Sequence, residues 1–465
     1  MEKISVPRLI ISGLTPQVGK SLITTGLLGE LRQRGLSVAC CVVGSNFKQA
    51  AQLRGLSERF VHTFDPKIQS AGQILESLYL ASLGADIVLI EGEETLLHLI
   101  SEEEGFIEGA DTYISRITHT PILPILDGRN SADMNSRAMV ELKKLVLDAN
   151  LLPPIANQVG LEQSELLEAI KKINQSLLSH GQQPLLGTIP KIAKAEELPH
   201  FGPSQKRSSS PISRQYLLDL QHVLGRCLDI EELINMARRA PAILLEDYDL
   251  ASLPRRCRIG VAMDAAFGLL YQDNLTFLKN FGAEIVPFSP LADTTLPRDI
   301  GGVYFPGGFV DEYGEDLVRN DSMIKSIRKF QDDGGCIYSE GSGTAFLSTY
   351  FYSKGKRIPG VGLIKTTVRP GDGRTMRFLG SFMEDNILGI QDMKVYGLIT
   401  GDWQLDNPEP MLRCLRVATG DGKTILDGYS PSGQVFGTFS LLHWGTNSQI
   451  ARNFADSSSV IKFQP

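Results

Sequence analysis

Short, nearly continuous apolar runs alternate along the chain with longer segments whose apolar residues recur at helical spacing, and that alternation predicts the architecture. The run Leu9-Ile10-Ile11 ends in a glycine-bounded loop, Leu22 to Arg34 then carries apolar positions at helical spacing and stops at Gly35, and Leu36 to Val43 is again a strand. The same pattern predicts helices over 75–83, 138–149 and 164–178, and strands over 86–90, 121–126, 152–156 and 184–186. Apolar strands separated by helices imply a parallel sheet covered on both faces.

The stretch Gly202-Pro203-Ser204-Gln205-Lys206-Arg207-Ser208-Ser209-Ser210-Pro211 holds almost nothing that could be buried and reads as a linker. A helical pair over 213–239 follows. A second α/β unit then opens with a strand over 258–263, a helix over 274–281, strands over 284–288 and 302–305, a helix over 311–332, and a strand over 336–339 that runs into a turn at Gly341. From about 361 to 442 the chain is strand-rich with glycine turns, and 447–454 reads as a closing helix. The division expected is 1–202 as the first domain, 203–255 as linker and helical connector, and 256–465 as the second domain, with no internal repeat.

Composition narrows the function classes. A chain of 465 residues exceeds one ordinary core, so two or more domains are expected. Its 42% hydrophobic and 21% charged residues suit a soluble α/β protein. A net charge of −7 provides no basic field to attract phosphodiesters, so no nucleic acid partner is expected. The six cysteines, at 40, 41, 227, 257, 336 and 414, show no metal-ligand spacing and lie mostly in apolar runs, as reduced thiols of a cytoplasmic protein do. The N-terminus lacks the apolar core of a signal peptide, and no run approaches the ~18 apolar residues of a membrane span.

Candidate chemistry begins with Gly13-Leu14-Thr15-Pro16-Gln17-Val18-Gly19-Lys20-Ser21, set between a strand and a helix. Backbone N–H groups of such a loop surround a polyphosphate, Lys20 reaches its terminal charge, and the Ser21 hydroxyl can sit on Mg²⁺. Gly13, Gln17, Val18, Gly19, Lys20 and Ser21 are the expected phosphate contacts, although five residues rather than four separate the two glycines. Glu91, closing an apolar strand, stands where a second metal-directing carboxylate is placed in such proteins. Asn157 ends another strand, either as a purine-recognising amide or as a turn residue. In the second domain Gly307 and Gly308 follow a strand with free backbone N–H groups, as an oxyanion-binding turn requires. Ile337-Tyr338-Ser339-Glu340-Gly341-Ser342-Gly343-Thr344 is a strand, a sharp turn and a helix start, the layout of a nucleophile elbow. His443 is either the base for that site or a packed core histidine.

These residues, in this order over nearly the whole chain, resemble the cobyrinic acid a,c-diamide synthase family. The carriers are Gly13–Ser21, Leu89-Ile90-Glu91-Gly92, Pro184-Leu185-Leu186-Gly187-Thr188-Ile189-Pro190 with Glu197-Leu198-Pro199, Asp264-Ala265-Ala266-Phe267, Tyr271, Asn274-Leu275, Phe288-Ser289-Pro290-Leu291-Ala292-Asp293, Gly307-Gly308-Phe309, Ser322-Met323-Ile324-Lys325-Ser326-Ile327, His443 and Asn447. The resemblance implies a dethiobiotin-synthetase-like P-loop domain binding ATP and Mg²⁺, the metal at Ser21 and Glu91, and a class I, triad-type glutamine amidotransferase domain. In that family ATP phosphorylates a tetrapyrrole carboxylate, and ammonia released from glutamine converts it to an amide. A tetrapyrrole ligand and a homodimer or protein partner are the expected associations.

The chain departs from the family where the chemistry is densest. Where the family's Ala-Glu-Cys-Gly-Gly turn carries its thiolate, the ungapped register places Gly341, which has no attacking atom. Ser342 is one residue late and reads as a helix-capping serine. Cys336 lies on the order of 15 Å away, at the strand's start. The family's paired aspartates after the second strand are the amides Asn46 and Gln49, which cannot hold Mg²⁺ by charge. Its Gly-Leu-Tyr-Asp-Gly segment is replaced by Glu93-Glu94-Thr95-Leu96-Leu97-His98, and its first histidine of the closing pair by Leu441. The expectation is a non-catalytic nucleotide- or tetrapyrrole-binding or assembly protein. The alternatives are an ATP-dependent amidoligase fed by free ammonia, and a P-loop protein with a different substrate.

Overall fold

The computed structural model describes residues 2–93, 96, 109–145, 150–159, 163–192, 211–245, 253–406, 413–419 and 422–459. Two compact units emerge, one of Met1–Phe201 with Lys206–Tyr248 and one of Gly202–Gln205 with Asp249–Pro465.

The first unit is built on seven parallel strands in the order His62–Phe64, Val38–Val43, Ile87–Glu91, Arg8–Gly13, Ile122–Asp127, Ile155–Val159 and Gly187–Pro190. Every residue of the four middle strands Val38–Val43, Ile87–Glu91, Arg8–Gly13 and Ile122–Asp127 is buried. Alternate side chains feed opposite faces. Leu9, Ile11, Val42 and Leu89 pack with Ile23, Leu27 and Leu28 of the helix Lys20–Gln33. Ile10, Ala39, Val43 and Ile90 pack with Ile74, Leu78 and Ile114 on the other side. Each such burial contributes roughly 1.5–3 kcal/mol, which fixes the ends of these strands, and the loops leaving them, in one place.

The expected connector belongs to this unit. The helix Pro211–Cys227 lays Leu220 and Leu224 into the core beside Leu27 and Leu28, and Ile230, Leu233 and Ile234 of the helix Ile230–Ala237 join them. The strand Ile243–Leu245 pairs antiparallel with Glu2–Ile4. The buried Arg8 guanidinium donates to the carbonyls of Thr118, at 2.8 Å, and Pro241, at 2.5 Å. The polar stretch 202–210, Glu197-Leu198-Pro199, and Glu94, Thr95, Leu97 and His98 lie outside the described residues.

Three of the elements whose bounds differ from those expected have a local cause. The strand expected over 184–186 is Gly187–Pro190, since Pro184 has no N–H for a ladder and pairing starts at Ile155 opposite Gly187. The helix expected from 138 starts at Ala132, where Ser131 Oγ accepts the Met134 N–H at 3.2 Å. The helix expected over 311–332 is two, Val310–Arg319 and Asp321–Asp332. Asn320 divides them, its side chain accepting from Met323 N while donating to the carbonyls of Pro290 and Asp293.

The second unit carries a ten-stranded mixed sheet. Its parallel half runs Ala283–Phe288, Cys257–Ala262, Gly302–Phe305, Cys336–Glu340 and Val435–Thr438. The antiparallel half continues through Thr424–Ser432, Arg413–Thr419, Met376–Phe382, Lys394–Ile399 and Ser440–His443. Val435–Thr438 and Ser440–His443 are separated by Phe439 alone, so the sheet curls until its last strand returns beside its middle. Asp427 holds that corner, accepting from Thr438 Oγ1 at 2.6 Å and from Ser440 Oγ at 2.8 Å. All six cysteines are free thiols, buried except for the half-buried Cys227. Among the described residues no helix is long and apolar enough to cross a membrane.

Candidate functional site

In the first unit the loop after Arg8–Gly13 turns through Gln17 at φ 57° and Gly19 at φ 89°, and Lys20 opens the helix Lys20–Gln33. The helix N-terminus and the loop N–H groups thus face the carboxyl ends of the strands, the geometry that binds a polyphosphate. Asn157 is turned onto this loop. Its Nδ2 donates to Val18 O at 2.7 Å, and a Cβ on Gly19 would meet that nitrogen at 2.4 Å. Asn157 therefore clasps the loop, as Gln158 does through Gln17 O at 3.2 Å.

Glu91 is 2% exposed, and both its oxygens are taken. Ser21 Oγ donates to Oε1 at 2.6 Å and Gln49 Nε2 donates to Oε2 at 2.9 Å. Burial pushes the Glu91 carboxyl above the ordinary carboxylate range, against the hydrogen bonds that favour its charge. Asn46 caps the helix Phe47–Ser57, its Oδ1 accepting from Gln49 N at 3.2 Å, and so fixes the backbone that carries Gln49. Nearby, Asp111 accepts from Ser12 Oγ and from Glu93 N, and burial pushes its carboxyl above the ordinary carboxylate range too.

Ser21 and Glu91 stand together, joined by a hydrogen bond, yet both carboxylate oxygens are already engaged, which does not suit a hard cation. The Gln49 amide takes one carboxylate oxygen of Glu91 and the Ser21 hydroxyl the other, so an ion could reach this carboxylate only by displacing a hydrogen bond.

In the second unit Cys336–Glu340 runs into Gly341, at φ 50° and ψ −120°, and then into the helix Ser342–Leu347. That sharp strand-to-helix turn is the backbone of a nucleophile elbow. A Cβ at Gly341 would meet nothing nearer than Gly307 Cα at 3.5 Å and Leu441 Cδ2 at 3.7 Å. Both are ordinary contacts, so packing does not demand the glycine. The side chain facing the turn is Leu441. His443, two residues on in the same strand, is fully buried against Tyr271 with Nε2 3.6 Å from Asp273 Oδ2, and neither ring nitrogen makes a hydrogen bond.

The two side chains with an atom able to replace a nucleophile are committed elsewhere. Ser342 Oγ donates to Gly308 O at 2.7 Å and accepts from Trp403 Nε1 at 2.9 Å. It braces the turn and makes no helix cap, contrary to the expectation from its position. Cys336 Sγ donates to Gln434 Oε1, and burial pushes its thiol up to about 11. Gly307 and Gly308 form a short antiparallel ladder with Phe267–Leu269, where a Cβ on Gly308 would lie 1.9 Å from Ala266 O.

Glu340, just before the turn, accepts from Tyr304 Oη at 2.6 Å, from Tyr338 Oη and from Leu442 N at 2.8 Å. Burial pushes its carboxyl up to about 7. Asn274 clamps the returning strand, donating to Leu442 O and accepting from Trp444 N. Sequence reasoning missed the Gln49 contact with Glu91, the Trp403 contact with Ser342, and the pairing of Ser12 with Asp111. Only the paired amides at 46 and 49 left a trace in the sequence, since the other contacts join residues 61 and 99 positions apart.

Residues 258–448 match the CobB/CobQ-like glutamine amidotransferase domain family. The chain is 28% identical to the cobyrinate a,c-diamide synthase of Leptospira interrogans, over 98% of this chain and 99% of that protein. It is 28% identical to that of Dehalococcoides mccartyi, over 97% and 98%. To the enzyme of Methanosarcina barkeri the identity is 25%, over 97% of each chain. The chain is thus a homologue of the cobyrinate a,c-diamide synthases over nearly its full length, with a CobB/CobQ-like glutamine amidotransferase domain in its second half.

Proposed function

We propose that this protein binds a nucleotide polyphosphate at Gly13–Ser21 and does not hydrolyse glutamine, so that its amidotransferase-like unit serves as a binding or assembly module, with a tetrapyrrole carboxylate as the small-molecule ligand its homologues suggest. The observation that carries this reading is Gly341. The turn keeps the backbone of an elbow while a hydrogen occupies the attacking position, an isobutyl group faces it, and the Ser342 hydroxyl and the more distant Cys336 thiol are hydrogen-bonded elsewhere. Nucleophilic cleavage of an amide needs a thiolate or alkoxide with a base in reach. On the first unit, the αL glycine, the helix opening at Lys20 and the clasp from Asn157 support phosphate binding.

The test is an incubation of the full chain with ATP, Mg²⁺ and a corrin or sirohydrochlorin-type carboxylate, with either glutamine or ammonium as nitrogen source. No glutamate is expected from glutamine, and no amide from either source. ATP is expected to raise the unfolding temperature, because a ligand that binds only the folded state stabilises it. Glutamate release abolished by Ser342→Ala or Cys336→Ala would overturn the glutaminase reading. Amide formation with ammonium alone would show a ligase fed by free ammonia instead.

A further inference from the structure

We propose that Gln49 takes the place of a divalent cation beside Glu91, so that the phosphate loop receives a nucleoside di- or triphosphate carrying no metal. This deepens the nucleotide reading above and rests on it.

The argument is one of charge at close range. Glu91 and Gln49 are 2% and 5% exposed, so water does not mediate between them, and the amide nitrogen lies 2.9 Å from the carboxylate oxygen. A second carboxylate at position 49 would face Glu91 at that separation, and two like charges so placed stay ionised only with a cation between them. The amide removes that requirement, because its N–H already presents a partial positive charge to Glu91. The arrangement is held from both sides. Asn46 fixes the first turn of the helix that carries Gln49, and Ser21 fixes the other oxygen of Glu91.

The result is a carboxylate held by the hydroxyls of Ser21 and Thr24 and by the amide of Gln49, with the Lys20 ammonium close enough to favour its charge. The positive charge presented to a phosphate is then that of Lys20 and the loop N–H groups.

The experiment measures ATP binding to the full chain by titration calorimetry and thermal unfolding, in EDTA and in MgCl₂, for the wild type and for Gln49→Glu. The wild type is expected to bind equally well in both. Gln49→Glu should bind about tenfold more weakly in EDTA, the size of a one-unit like-charge effect, and recover in MgCl₂. Wild-type binding that requires MgCl₂ overturns this inference and leaves the nucleotide reading standing. Absence of wild-type binding under both conditions overturns the two together. The wild-type comparison decides without the variant, so a Gln49→Glu chain that fails to fold does not blunt the test.

Discussion

Glu340 is a carboxylic acid held well away from its ordinary behaviour. Burial raises it from 4.5 to about 7, so between those values the native state keeps a proton that the unfolded chain has lost. Its contribution to stability is therefore full below pH 4.5 and is lost as the pH rises through about 7. Gln can keep bonds to both tyrosines but cannot titrate. Glu340→Gln is expected to flatten the fall of the urea midpoint across that window, and a variant with the wild-type slope would assign the slope to another group. Single residues were legible in the sequence where the backbone decides and not where long-range contacts do. Gly341 stands at the predicted turn because strand and helix signals flank it. That Leu441, rather than His443, faces the turn follows from how the sheet curls, and residue spacing carries no record of that. The hydroxyl of Ser342 is committed to Trp403 and Gly308, partners that no local pattern names.

At the scale of elements, the strand, loop and helix around Gly13–Ser21 were legible because local periodicity and loop composition agree. Helix bounds slipped where a polar cap replaced an apolar cue, as at Ser131 and Asn320. The packing of Pro211–Cys227 on Lys20–Gln33 depends on Gly26 and Gly29 of the latter, which face Leu224 and Gln221. A Cβ on Gly26 would lie 2.3 Å from Leu224 Cδ1 and 3.0 Å from Leu220 Cγ. Gly26→Val gains about 0.5 kcal/mol of helix propensity, while overpacking costs about 1–3 kcal/mol. The variant should therefore be less stable by about 1–2 kcal/mol, read from its denaturant midpoint, with any gain in stability showing that the helices are loosely apposed.

For the whole molecule, the number of α/β units and their order could be read from the alternation of apolar runs, but the boundary between them could not. A polar stretch looks like a border, yet the chain beyond it, to Tyr248, packs in the first unit. A fragment of residues 1–248 is expected to show a cooperative unfolding transition, whereas one ending at 202 should aggregate or unfold without one. Removing 206–248 uncovers Leu27, Leu28 and the partner edge of Glu2–Ile4. A cooperative transition in the shorter fragment would contradict the packing described. The antiparallel pairing of Glu2–Ile4 with Ile243–Leu245 also bears on biosynthesis. At roughly 5–20 residues per second on the ribosome, the opening strand waits on the order of ten seconds or more for its partner to emerge. During that interval the nascent chain presents an apolar helix face and an open strand edge.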